Sequence, residues 1–346
     1  MLFFRKNEKH DMSLNHAYGH HMATEISQAR EVFVKRLTSD IALDPLPQAW
    51  NRVYTIARGS SDAVATILSY EWMRVLNLPM TSLPPSIFSL GSGIQMDKAL
   101  CLVISQSGSS HDLVSSTKGA VERGAHVLAL TNQEASPVEE HAHQTIPILA
   151  GPEVAVPATK TVIASIAAGL AILGQLAPEY RDTFYPAIQA FERLKERLHP
   201  RFDKTYKVLK EAEHVYVIGR GAGYGAAQEV ALKLKECCSL HAEAYSASEV
   251  LHGPLQLAKK PLSVLILDTG EVCAEQSLEH VEQRLRAAKV NVVRMTPSLA
   301  DLSSLSPAAA AAVLLYLMYP IIRRLSLDAH LNPDRPDLLS KVTFTK

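Results

Sequence analysis

Glu229, Lys233 and Glu236 recur at intervals of four and three within residues 228–238, a run of strong helix formers without Gly or Pro. A helix with that spacing carries an acid, an ammonium and a second acid on one face. On an isolated helix the same pattern reads as a solvated face steadied by ordinary Glu–Lys pairing. The block that follows weakens that reading. His252 stands immediately before Gly253-Pro254, so it belongs to a loop or helix end from which an imidazole can reach outward. A carboxylate on a fixed helix and a reachable histidine suffice for proton transfer on a sugar, the carboxylate moving a proton between adjacent carbons and the histidine assisting ring opening.

A second constellation lies more than a hundred residues earlier. Leu100-Cys101-Leu102-Val103-Ile104 is an apolar run suited to a parallel strand covered on both faces, and it leads directly into Ser105-Gln106-Ser107-Gly108-Ser109-Ser110. The turn at the carboxyl end of such a strand is where open α/β sheets bind ligands. Four hydroxyls, a glycine that admits close backbone approach and the N-terminus of a following helix together make a phosphate cradle. The alternative is a plain turn with a helix N-cap. The segment is neither a P-loop nor a G-x-G-x-x-G fingerprint.

The elements that must position these groups follow from the rest of the chain. Its 346 residues allow two domains or subdomains with their own cores. With 35 basic and 35 acidic residues the net charge is zero, so no nucleic-acid or membrane partner is expected. Cys101, Cys237, Cys238 and Cys273 have no C-x-x-C or zinc spacing and read as reduced thiols of a cytoplasmic protein. The apolar start is too short for a signal peptide. Residues 308–322 fall short of the roughly 20 residues that a membrane span needs, and are interrupted by Pro320, so a buried core helix is expected. His10, His16, His20 and His21 read as part of a polar lead-in rather than a metal site.

Tyr54-Thr55-Ile56-Ala57-Arg58-Gly59-Ser60 and Tyr216-Val217-Ile218-Gly219-Arg220-Gly221-Ala222 repeat one pattern, an apolar strand ending in Arg-Gly. Helical stretches follow at 62–76 and 225–238, which implies a duplicated βα opening. Further strands are expected at 100–105, 126–130 and 145–149 in the first half and at 263–267 and 290–295 in the second. Strands alternating with helices give an α/β fold of two doubly wound parallel sheets. The division reads as a lead-in and helix over 1–45, one subdomain over 46–198 and a second with a C-terminal tail over 199–346, with the boundary near His199-Pro200.

At these residues the chain resembles the sugar-isomerase (SIS) domain family, and within it the isomerase half of glutamine–fructose-6-phosphate aminotransferases and the stand-alone phosphosugar deaminases. The resemblance covers roughly residues 22–346. It is carried by Arg58-Gly59-Ser60-Ser61, Ser105-Gln106-Ser107-Gly108, Gly151-Pro152-Glu153 with Thr159-Lys160, the block 229–254, and the ending Pro336 to Thr343. It implies two flavodoxin-like subdomains. Ser60, Ser61, Ser105, Gln106, Ser107 and Ser110 match residues that bind the sugar phosphate and nearby hydroxyls, and Val156 matches a residue lining the sugar. Glu236 matches the base that shuttles a proton between C1 and C2, and Lys233 a lysine of the catalytic helix. His252 matches a ring-opening histidine that reaches the site from the neighbouring subunit, implying a homodimer with shared sites. Lys341 matches a lysine that approaches the sugar carbonyl and can form a Schiff base. No cofactor or metal is implied.

Departures sharpen the expected activity. The aminotransferases carry a glutaminase domain with a cysteine after the initiator methionine, whereas residue 2 here is Leu and only a short lead-in precedes the sugar domain. Arg58 replaces a small residue, and Pro157-Ala158 replaces Ala-Ser before Thr159-Lys160, removing one hydroxyl from the sugar site. The leading expectation is hydrolytic deamination of glucosamine 6-phosphate to fructose 6-phosphate and ammonia. The rivals are a galactosamine-6-phosphate deaminase, a fructosamine-6-phosphate deglycase, a simple aldose–ketose phosphosugar isomerase and a non-catalytic phosphosugar sensor.

Overall fold

A computed structural model describes residues 18–47, 50–194, 200–302 and 304–341. The chain opens with helix α1 (His20–Thr38). The first half then runs β1 (Arg52–Ile56), α2 (Ser60–Leu76), β2 (Met80–Ser82), α3 (Ser86–Ser89), β3 (Ala99–Ser105), α4 (His111–Glu122), β4 (His126–Thr131) and β5 (Gln144–Pro147). Helices α5 (Lys160–Leu176), α6 (Phe184–Arg193) and α7 (Phe202–Lys210) lead into the second half. That half comprises β6 (His214–Gly219), α8 (Ala222–Cys238), β7 (His241–Ser246), β8 (Ser263–Leu267), α9 (Val272–Ala287), β9 (Asn291–Met295) and the closing helix α10 (Pro307–Asp328).

All strand pairs are parallel, in the order β2-β1-β3-β4-β5 in one sheet and β7-β6-β8-β9 in the other. Both therefore reverse direction between the first and third strands of the half, the doubly wound order expected from the duplicated βα opening. The duplication extends to backbone angles. Gly59 and Gly221, each just before the first helix of its half, sit at φ 53°, ψ −126° and φ 56°, ψ −134°.

The apolar strands are continuous because each sheet is covered on both faces. In β3, Leu100, Leu102 and Ile104 point into a central core shared by the two halves, while Cys101 and Val103 point outward beneath Leu113 and Ala120 of α4. In β6 and β8, Val215, Val217, Leu265 and Leu267 face the same central core, and Tyr216, Ile218, Val264 and Ile266 face α9. The two-residue alternation of strand side chains thus divides each apolar run between two cores.

Helices α2, α5, α8 and α10 fill the space between the sheets. The stretch at 308–322 lies within α10, whose residues Ala308 to Leu315 are buried, as a core helix requires. Its length and composition would cross a membrane, yet 78% of its apolar window is buried in the fold. Helices α2 and α8 cross closely at Gly225, where a Cβ would stand 2.6 Å from Ile67 Cγ1 and 2.9 Å from the Ala63 carbonyl oxygen. That approach sets the first helix of one half against the first helix of the other.

Two strands are additional to the sequence reading, β2 and β7. Residues 241–246 alternate His, Glu and Tyr with small residues; as an edge strand with mostly half-buried side chains, β7 lacks the apolar run that marks a central strand. The expected junction at His199-Pro200 touches residues 195–199, outside the described residues, as do His10 and His16; His20 and His21 open α1.

Candidate active site

A cavity of about 310 Å³ opens at the reversal point of the first sheet. The start of α2, just after the β1 turn, supplies Ser60 and Ser61, and the end of β3 with the turn that follows supplies Ser105, Gln106, Ser107 and Ser110. Val156 and Lys341 complete the wall. The cap alternative fails for Ser110: it occupies the N-cap position of α4, but its side chain makes no capping hydrogen bond. The Ser105 and Ser107 hydroxyl oxygens accept from the backbone N–H groups of Gly108 (3.1 Å) and Ser109 (3.4 Å), which folds the turn back on itself. Gly108 has φ +59°, and a Cβ there would stand 2.1 Å from Ser136 Oγ. The first turns of α2 and α4 both end at the cavity, so unpaired N–H groups and two helix dipoles favour an anion within it.

The acid–ammonium–acid face of α8 is buried rather than solvated. Glu229 and Lys233 are fully enclosed and Glu236 is half-buried. Lys233 Nζ donates to Glu236 Oε2 at 2.6 Å and to Ser60 Oγ at 2.9 Å, and lies 3.3 Å from Glu229 Oε1. One buried ammonium therefore ties the second half's helix to the first residue of α2 in the cavity wall. Burial works against the charge on Lys233, but Glu229 and Glu236 outweigh it and hold the ammonium above its ordinary pKa. Burial also pushes the Glu229 carboxyl up to about 7, against the opposing pull of Lys233. Tyr319 O–H donates to Glu229 Oε1 at 3.3 Å, while Glu229 Oε2 has no hydrogen-bond partner among the described residues. Glu236 also lines a second cavity of about 400 Å³ with Cys237, Asn332 and Asp337, at the C-terminal end of α8.

Lys341 donates to Glu153 Oε2 at 3.1 Å and to the Ala155 carbonyl at 2.6 Å. Glu153 in turn accepts from the N–H groups of Thr159 (2.9 Å) and Thr161 (3.1 Å) and from the Thr161 hydroxyl (2.7 Å), capping α5. Glu25 of α1 accepts from the N–H groups of Val154 and Ala155, and burial raises its pKa. Lys160, also buried, donates to Gln28 Oε1 at 2.7 Å, and desolvation lowers its pKa. The Gly-Pro-Glu and Thr-Lys segments thus form the support beneath Lys341. Glu153 was legible there as a motif member, but its capping role was not.

Eight of the eleven sequence-predicted residues surround one cavity, and Lys233 and Glu236 join it through Ser60. His252 does not. It ends a short 3-10 turn after β7, is exposed, and lines neither cavity. Arg58, read in the sequence as part of the repeated Arg-Gly ending and as a departure but not as a site residue, is a further wall residue, and its Nε pairs with the buried carboxylate of Asp112. Ala158, noted in the sequence as a departure, also lines the cavity. Among the described residues no group of three His, Cys, Asp or Glu side chains is placed to hold a metal ion.

Two parallel doubly wound halves with a hydroxyl-lined reversal point define a sugar-isomerase-type architecture, and the SIS domain model matches residues 48–173 and 208–316. The chain belongs to the SIS domain family. A glutamine–fructose-6-phosphate aminotransferase (isomerizing) of Methanothermobacter thermautotrophicus is 28% identical over 352 residues, covering 96% of this chain and 58% of that protein. The chain thus spans little more than half the length of that relative. A crystal structure from Silicibacter pomeroyi DSS-3 is 31% identical with a TM-score of 0.73, covering 90% of this chain and 94% of that one. The glucosamine-6-phosphate deaminase of Thermotoga maritima, at 19% identity, shares the fold with a TM-score of 0.76 over 94% of this chain and all of that one.

Proposed function

We propose that this chain is an isomerising phosphosugar deaminase that converts glucosamine 6-phosphate and water to fructose 6-phosphate and ammonia. The observation that carries the reading is the position of Lys233 Nζ, 2.9 Å from Ser60 Oγ and 2.6 Å from Glu236 Oε2. It joins an anion cradle to a carboxylate suited to proton transfer.

In this reading the phosphate rests among Ser60, Ser61, Ser105, Gln106, Ser107 and Ser110, with Val156 beside the sugar. His252 of a second subunit opens the ring; its exposure on a loop away from its own cavity favours that origin. Glu236 takes the C2 proton of the open-chain aldehyde, giving an enolamine between C1 and C2, and returns the proton to C1. The Lys233 ammonium holds the Glu236 carboxylate in place and stabilises charge developing on the enolamine. The product is a C2 imine, which water hydrolyses to the ketone and ammonia. Lys341, on the cavity wall, approaches the carbonyl end. A cytoplasmic homodimer with shared sites belongs to the same reading.

The test incubates purified protein with glucosamine 6-phosphate and follows ammonia and fructose 6-phosphate together. Stoichiometric appearance of both supports the reading, and Glu236→Gln should lower turnover by roughly 10³-fold while sparing phosphosugar binding. Consumption of galactosamine 6-phosphate or a fructosamine 6-phosphate instead would overturn the substrate, the outcome to which Ala158 points most directly. Simple interconversion of aldose and ketose phosphates would establish the isomerase, and binding without turnover would establish a sensor.

A further inference from the structure

We propose that Arg58 is a fixed cation of the anion cradle and selects doubly charged phosphate esters, an inference that rests on reading the cavity as the phosphate site. The neutral hydroxyls of the two turns favour anions generally; a guanidinium adds charge discrimination and a fork that matches phosphate oxygens.

Arg58 belongs to the turn after β1, two residues before Ser60, and its side chain is 46% exposed in the cavity wall. Its Nε is pinned to the carboxylate of Asp112, which is fully buried in the first turn of α4. Beyond that ion pair, neither Asp112 oxygen has a hydrogen-bond partner among the described residues. No partner within the described residues engages the terminal nitrogens of Arg58, so the pairing fixes the head group while leaving donors for a ligand. An uncompensated Asp112 beside the cradle would repel an anion; Arg58 neutralises that charge and places its remaining N–H donors on the cavity side of the pair.

The second half provides an internal comparison. Its matching residue, Arg220, donates through Nη1 to the hydroxyls of Ser246 (3.1 Å) and Ser248 (2.6 Å). At the reversal point of that sheet, Asp268 and Glu271 follow β8, whereas Ser105 ends β3 and Gly108 lies in the turn after it. The duplicated fold therefore has no need of a free arginine at this position. In the second half one terminal nitrogen of the guanidinium is engaged by two serine hydroxyls, whereas in the first the group is held through Nε by a single buried carboxylate beside the cavity.

The experiment measures calorimetric binding of inorganic phosphate and of sorbitol 6-phosphate, which cannot isomerise, to wild type, Asp112→Asn and the double variant Arg58→Met/Asp112→Asn. Arg58→Met alone would leave a buried charge unpaired and confuse folding with binding; the double variant removes both charges. Wild type and Asp112→Asn should bind sorbitol 6-phosphate comparably, and the double variant 10- to 100-fold more weakly, with a shallower dependence on salt. Affinity of the double variant within twofold of wild type would overturn the role of Arg58. Failure of wild type to bind either phosphate would overturn the cradle itself, and with it both this inference and the proposed function.

Discussion

Replacing Lys233 by Met tests the electrostatic account of the α8 face through stability rather than activity. In the wild-type chain burial raises the Glu229 carboxyl to about 7 although Lys233 pulls it down. An unfolded glutamate titrates near 4.3. Between those values the folded chain keeps a proton that the unfolded chain has released, so stability falls as pH rises, and this contribution levels off above about pH 7. Among the described residues the other titratable groups interacting with Glu229 include Lys233, Glu236, Cys237 and Tyr319, and Lys233, Cys237 and Tyr319 are raised out of this window. Without Lys233 the largest offset to burial is lost, and only hydrogen bonds such as those from Tyr319 and Ser60 remain to a carboxyl whose Oε2 lacks a partner among the described residues. Its folded pKa then rises further, so stability continues to fall above pH 7, by at most about 1.4 kcal/mol per pH unit. A pH-independent loss from breaking the ion pair adds to this, within a total of roughly 3–5 kcal/mol. Methionine preserves the length and much of the volume of the side chain. Urea unfolding at pH 6, 7 and 8.5, followed through the fluorescence of the buried Trp72, gives the comparison. Variant and wild-type stabilities that run parallel from pH 7 to 8.5 would refute the reasoning.

Two further substitutions probe how the fold holds the site. Gly225→Ala places a methyl 2.6 Å from Ile67 Cγ1 and 2.9 Å from the Ala63 carbonyl oxygen. It should cost roughly 1–3 kcal/mol in thermal or chemical unfolding, and separating α2 from α8 should lower turnover by lengthening the Ser60–Lys233 contact. A variant as stable and active as wild type would show that the contact tolerates a wider crossing. Gly108→Ala combines a positive φ with a clash against Ser136, so phosphate binding measured by calorimetry should weaken at least about tenfold. Unchanged affinity would remove the β3 turn from the anion site.

The sequence by itself determined the central strands, the main helices and which residue types could serve a site. Central strands such as β3 and β8 were legible because burial on both faces writes an uninterrupted apolar run, and the paired Arg-Gly segments disclosed the duplication that the matching sheet orders bear out. Edge strand β7 was not legible, because its mostly half-buried side chains leave no such run. Spacing alone placed Glu229, Lys233 and Glu236 on one helix face, but it predicted a solvated face equally well. Only the packing of α8 against α2 and α10 decided that Glu229 and Lys233 are sealed from water and that the ammonium reaches Ser60. The same holds for Arg58. Its charge was visible in the chain, but its pairing with Asp112 depends on two turns brought together where the sheet reverses. Local periodicity records which side chains share a face, whereas burial, charge pairing and convergence across distant segments arise only when the two halves close on a common core.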